Sequence, residues 1–549
     1  MQKGKLIQNV SHDVPPPDGE YAALGVLPGA EIPVHPHQNI GLVHEWVKDC
    51  VQNHSQCQVS NPVLLPKRVI AIGTIQRPLL HLHESCNDIA NYAALSHRWS
   101  TEQLLTTTKD TLEYRKKQIE WKSLSKTFQD AITVARDLGL RYLWIDSLCI
   151  IQDDAEDWQI ESSKMATIYE MAYVTIAANR TTGGLLRSNA RRSARSANIQ
   201  ALDGTGNVVD LLVRSPMDHA NFYVSALEGG MQEETAYPLL QRAWCFQERL
   251  LATRILQFTD AEIIFECKSG QHCECGSINH ARTTPIKSMF GTVLGETFQP
   301  ANLAEDVWNG WILVLRSYVT KDLTVATDIL PALAGLAAQI QCSELGRYIA
   351  GLWTGEIAKG LFWFADVLAT KKTSVKTAPT FSWAALAGVA NIKELTWPYM
   401  DSHDNSQQKF KVLDVQCSVA GLNPYGIVST ACVKLSGYGG IVTLKFGKRV
   451  RGDNAVMKLG TREQPAMVFM DTIPQATSGF EDEFTCFFGF TWTEDDYTKR
   501  PPVVKHCVSA LLLKLLSEPG AYQRVGCIPQ LNNDPSWLRD AQEMNVSIV

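Results

Sequence analysis

Two carboxylates stand out in the stretch LRYLWIDSLCIIQDDAEDWQIE, Leu140 to Glu161, because of where they fall. Asp146 ends an apolar run that reads as a buried strand. In parallel α/β sheets ligands collect outside the carboxyl ends of the strands, so Asp146 is a candidate catalytic or binding group. The same position also suits an aspartate that holds loop amides or caps a helix, and residue type leaves both readings open. Glu161 sits differently. Trp158, Glu161, Met165, Ile168 and Ala172 recur at helical spacing, which places the carboxylate in the middle of an apolar stripe. A buried charge is costly unless paired, hydrogen-bonded or protonated. Glu161 is therefore expected either to pair with an arginine, Arg98 or Arg136, or to serve as a catalytic carboxylate with a raised pKa.

A second strand end, in YAALSHRW, presents Ser96, His97, Arg98 and Trp99 in succession. Arg98 can hold a phosphate or carboxylate bidentately, or make a structural ion pair. Ser96 lacks a G-x-S-x-G setting, which removes a serine-hydrolase reading. These four residues form the candidate ligand-binding set beside the candidate catalytic pair Glu161 and Asp146. ECKSGQHCECGSINH offers Cys267, His272, Cys273, Cys275 and His280, but its C-x-C spacing is tighter than zinc sites commonly use, so a reduced cysteine-rich loop is expected and no metal is assigned. In RAWCFQE, Trp244 and Glu248 share a helix face, which reads as packing. No G-x-G-x-x-G, Walker A, H-E-x-x-H or deaminase signature is present, and no cofactor is assigned.

The elements that must position these residues follow from periodicity. LLPKRVIAIG and RPLLHLHES read as short strands, and YAALSHRW as a third. SKTFQDAITVARDLG places Phe128, Ala131, Ile132, Ala135 and Leu138 at helical spacing, with Ser125 as cap and Gly139 as stop. A strand over 143–145, a helix from about 156 to 172 and the strand YVTIAAN complete a β-α-β-α-β order, the signature of a parallel α/β sheet. Residues 1–62, rich in Pro, His and Gly apart from a short helix in GLVHEWVKDCVQNH, read as a leader or cap. LLRSNARRSARSAN, with Arg187, Arg191, Arg192 and Arg195, reads as an exposed loop rather than an RNA-binding tract. A helical region is expected over roughly 300–366. From about 380 the runs FSWAALAG, VKLSGYGGIVTLKF, FTCFFGFTW, ALLLKLL and YQRVGCI are β-prone, with SEPGA as a hairpin turn.

The chain has 549 residues, too many for one core, and its 45% hydrophobic and 20% charged composition excludes disorder. A net charge of -6 gives no footprint for nucleic acid or an anionic membrane surface. The longest apolar run, Ile329 to Ile340, is about half the ~20 residues a membrane span requires. The amino terminus lacks the apolar core of a secretory signal, and fourteen cysteines without such a signal read as reduced thiols, so a cytoplasmic location is expected.

Three blocks, YAALSHRW, then LSKTFQDAITVARDLGLRYLWIDSLCIIQDDAEDWQIESSKMATIYEMAYVTIAA, then RAWCFQERLLATRILQF, resemble those of the fungal heterokaryon incompatibility (HET) domain, in the same order, over about residues 66–270. The chain departs from the family pattern at His97, where an aromatic is usual, and at Ser100, where a glycine is usual. The resemblance implies a TIR-like parallel sheet flanked by helices at 63–280, and the residue patterns beyond it divide the rest into a helical region at 281–375 and a β-rich domain at 376–549. It also implies an intracellular effector of nonself recognition leading to programmed cell death, working through a protein partner or self-association. Some TIR domains cleave NAD with a glutamate, and DWQIE resembles the motif that carries it, although Glu161 follows the second strand of the sheet rather than the third. The alternative is therefore a small-molecule enzyme on the HET scaffold, either an NAD hydrolase or a biosynthetic enzyme using the Asp146/Glu161 cleft.

Overall fold

The computed structural model of the chain describes residues 40–58, 62–74, 76–99, 105–179, 183–186, 196–202, 208–214, 219, 237–276, 278, 287, 303–367, 377–386, 392–398, 406–446, 455–471, 481–496, 503–533 and 540–549. Two compact units divide the chain: residues 1–241 with 248–291, and residues 242–247 with 292–549.

The first unit is built on a mixed sheet. Its main elements are α1 (Ile40–Asn53), β1 (Arg68–Ala71), β2 (His81–Glu84), β3 (Ala93–Ser96), α2 (Lys126–Asp137), β4 (Tyr142–Trp144), α3 (Asp146–Cys149), α4 (Ala155–Met171), β5 (Val174–Ala178), the end of α5 (Ala243–Leu251, whose residues up to 247 fall in the second unit), β6 (Arg254–Phe258), β7 (Ile263–Cys267) and β8 (Gln271–Cys273). The eight strands lie in the order β8-β7-β6-β5-β3-β4-β1-β2. Only the central four, β6, β5, β3 and β4, run parallel. The expectation of a parallel sheet is corrected at both edges, where β1 and β2 pair antiparallel, as do β6, β7 and β8. Connection length accounts for the sequential pairs: α2 and α4 supply the crossovers that parallel neighbours need, whereas β1–β2, β6–β7 and β7–β8 follow one another through short connections. The parallel strands are apolar and buried, as a sheet covered on both faces requires.

Local chemistry sets the helix ends. Ser125 Oγ accepts the Phe128 N–H (3.3 Å), and Gly139 takes φ +74° just past α2, the left-handed stop that glycine adopts without a Cβ clash. Asp154 caps α4 through the N–H groups of Glu156 and Asp157. The arginine-rich stretch departs from an exposed loop at both ends. Leu185 and Leu186 are buried, their N–H groups held by Asp130 Oδ2 at 2.8 and 2.9 Å, and Ser196–Leu202 is a strand. Arg187, Arg191, Arg192 and Arg195 lie outside the described residues.

The second unit contains α6 (Leu303–Tyr318), then β9 (Lys411–Val419), β10 (Val428–Phe446), β11 (Ala455–Leu459), β12 (Arg462–Ala466), β13 (Glu481–Asp496), β14 (Val503–Leu515), β15 (Ala521–Asn533) and β16 (Gln542–Ile548). The path β13-β14-β15-β16-β10 closes on itself, because Gly439–Lys445 of β10 also pairs with Glu481–Phe487 of β13. Closure removes the open edges, and Val442, Leu444, Phe484, Cys486, Phe488, Leu512 and Ile528 fill the core. A side chain at Gly439 would meet the Cys486 carbonyl at 2.5 Å, so only glycine allows the two strands to approach there. The FSWAALAG run is corrected from β to a 3-10 turn over Trp383–Leu386: Ser382 Oγ accepts the Ala384 N–H, and the Trp383 indole donates to the Gly351 carbonyl. No described helix is long and apolar enough to cross a membrane.

Candidate strand-end site

The four parallel strands, read across the sheet, run second, first, third, fourth in chain order, so β3 leads to β4 on one side and the chain then crosses to β5 on the other. The carboxyl ends around β3 are therefore the switch point at which open α/β sheets bind ligands. Beyond β3 the chain carries His97, Arg98 and Trp99, and beyond β4 it carries Ile145 and Asp146.

Asp146 ties these ends together. Its Oδ2 accepts the Trp99 Nε1–H (2.8 Å), its Oδ1 accepts the Ser147 N–H (2.7 Å), and the His97 Nδ1 lies 3.7 Å from Oδ1. The His97 ring is buried edge-on against Phe128. The carboxylate remains 21% exposed, Trp99 is 41% exposed, and Arg98 is also exposed, whereas Ser96 is buried within the strand. His97, Trp99 and Asp146 thus form one cluster with a solvent-facing rim. Ser100 lies outside the described residues.

Glu161 lies on α4 with its side chain 1% exposed, above the buried Met165 and Ile168, as its helical phase requires. Its partner is corrected from an arginine to Lys164, whose Nζ is 3.1 Å away one turn along the same helix. Arg136 instead donates to the Ile72 carbonyl and stacks on Trp121, and Arg98 is exposed. Both carboxylates reach the Cys149 thiol electrostatically: burial chiefly, with Asp146 and Glu161 adding, pushes that thiol up to about 12. The two acidic residues therefore flank one buried turn, but only Asp146 reaches solvent.

Three features of the unit depend on residues that lie far apart in the sequence. Asp157 accepts Arg68 Nη2, Lys67 Nζ (2.9 Å) and the Ile151 N–H (3.0 Å), while Arg68 Nε donates to the Cys149 carbonyl (2.7 Å), so one buried pair fixes the acidic turn to β1. At the ends of β5 and β6 the buried amides of Asn179 and Gln257 bond to each other, leaving Asn179 Oδ1 and Gln257 Nε2 without a protein partner among the described residues. Finally, the cysteine-rich segment separates into two groups whose ligand-type atoms lie within 4.8 Å of one another: Cys50, His54, Cys57 and Cys267, and His219, Glu262, Cys273 and Cys275. His272 stacks on Trp46 and Phe265, and His280 lies outside the described residues. Trp244 donates to Asp328 Oδ2 (3.0 Å).

No curated protein and no solved structure matches the chain. Residues 92–248 match the family model described as "Heterokaryon incompatibility protein (HET)", a span that begins at β3 and contains the strand-end cluster and Glu161. That match places a heterokaryon incompatibility domain at residues 92–248 of the chain.

Proposed function

We propose that this protein is a fungal effector of nonself recognition whose engagement leads to cell death, with the cluster of His97, Trp99 and Asp146 as its functional centre. The observation that carries this reading is a solvent-reaching carboxylate at a parallel strand end, held in place by an exposed tryptophan inside the family-matched span. Exposed Trp99 and Arg98 are residue types that dominate binding energy at protein interfaces, which suits a partner or self-association. The β-rich unit recognises the partner or restrains the effector. Inducible expression in a filamentous fungal host tests the proposal. Wild type is expected to arrest growth, and Trp99→Ala, Arg98→Ala and Asp146→Asn to relieve the arrest at unchanged protein level. A harmless wild type, or full toxicity in all three variants, refutes it.

A second reading, a small-molecule enzyme such as an NAD hydrolase or a biosynthetic enzyme, draws support from Asn179 and Gln257. Their free oxygen and N–H group offer an acceptor beside a donor, the pattern that a carboxamide matches. This reading requires Glu161, 1% exposed, to become accessible. Nicotinamide release from NAD by wild type but not by Glu161→Gln supports it. Its absence from both, with folded protein, removes the NAD-hydrolase form.

A further inference from the structure

We propose that Cys50, His54, Cys57 and Cys267 form a structural zinc site that staples α1 to the end of β7. Cys50 occupies the last turn of α1, and His54 follows four residues later on the same face. The 3-10 turn Ser55–Cys57 then brings Cys57 back beside them, its N–H bonded to the His54 carbonyl at 3.1 Å. Cys267 arrives from 213 positions further along the chain than His54, with its Sγ 3.3 Å from His54 Nδ1.

Several observations favour a bound cation over four side chains that merely pack together. All four ligand atoms lie within 4.8 Å of one another, and zinc with bonds of about 2.3 Å to sulfur and 2.0 Å to nitrogen spaces its tetrahedral ligands by roughly 3.5–3.8 Å. The three cysteines are fully buried and free, which leaves each sulfur available as a thiolate ligand. The other ring nitrogen of His54 lies 3.9 Å from Asp49 Oδ2, beyond hydrogen-bond length but near enough for the carboxylate to favour a proton on that nitrogen, which leaves Nδ1 to the metal.

Charge balance adds a further argument. Arg254, 1% exposed, sits opposite Cys267 in the β6–β7 ladder, donates to the Cys57 carbonyl (2.8 Å) and forms no ion pair with a carboxylate among the described residues. A buried guanidinium without an anion is costly. When zinc binds, the three thiols release their protons to solvent, and Zn²⁺ with three thiolates and a neutral imidazole carries one net negative charge beside that guanidinium. The cation joins α1, which otherwise rests on the sheet through Trp46 stacked on Phe265, to the strand that borders β6.

The test uses the full chain, expressed with zinc and purified under reducing conditions, with metal measured by mass spectrometry. Cys50→Ser and Cys267→Ser are each expected to lose about one equivalent of zinc relative to wild type, while His54→Cys, which keeps four ligands, retains it. Cobalt exchange gives a readout that does not depend on the serine variants folding. Wild type is expected to show thiolate-to-cobalt charge transfer and intense tetrahedral visible bands, and His54→Cys to shift those bands to lower energy. The proposal is overturned by folded wild type that holds no zinc and takes up no cobalt, or by a disulfide among Cys50, Cys57 and Cys267 in the reduced preparation. It is equally overturned by metal that survives Cys267→Ser but is lost in Cys275→Ser, which would place the ion at the other cluster.

Discussion

Removing the carboxylate of Asp157 tests how the acidic turn is held. Asp157 is 6% exposed and Arg68 1%, and their pair is reinforced by Lys67, the Ile151 N–H and the Cys149 carbonyl. Asp157→Ala leaves the Arg68 guanidinium buried beside β1 without its anion, a change that costs about 3–5 kcal/mol. An independent route to the magnitude comes from the carboxyl's own ionisation. Burial raises its pKa, but Arg68, the Ile151 N–H and Lys67 outweigh burial and hold it at about 2. Against an unfolded value near 3.9, that is roughly 2–3 kcal/mol at neutral pH. The larger figure for alanine includes the stranded cation. For a unit of this size the loss corresponds to a melting temperature lower by about 5–8 °C. Differential scanning calorimetry of wild type, Asp157→Ala, Arg68→Met and the double variant reads the effect, with the double variant recovering most of the loss. A single-variant shift below about 2 °C, or strictly additive effects in the cycle, refutes the claim that this pair holds the turn.

Two further outcomes follow from the same packing. Because the Asp157 carboxyl is depressed in the folded state, its contribution is complete above about pH 4 and is lost as pH falls toward 2. Calorimetric scans from pH 6 to pH 2.5 should therefore show the α/β unit losing stability more steeply in wild type than in Asp157→Asn; parallel curves would refute the assignment. Gly184 stands at φ +84°, and a Cβ there would meet Asp130 Oδ2 at 2.4 Å, the oxygen that receives the Leu185 and Leu186 N–H groups. Gly184→Ala should cost about 2–4 kcal/mol through strain and lost hydrogen bonds, and unchanged hydrogen exchange at Leu185 and Leu186 would contradict that account.

Local patterning in the sequence was enough to determine the helices and strands that carry the site. The stripe through Phe128, Ile132 and Ala135 with its Ser125 cap, the apolar run into Asp146 and the burial of Glu161 all follow from periods of 3.6 and 2 and from the cost of an exposed apolar face. What only the tertiary structure decided is which groups meet. Lys164 rather than a distant arginine holds Glu161, because the helix offers a cation one turn away and Arg136 is taken by the Ile72 carbonyl. The edge strands run antiparallel, because their direction depends on connection length and not on side-chain pattern. Asp146 meets Trp99 and His97 through the pairing of β3 with β4, and Cys267 reaches His54 across 213 positions through the place of β7 in the sheet. Spacing along the chain governs contacts only within a turn or a hairpin. Beyond that range strand order decides which side chains share a site, and it emerges only when the core is assembled.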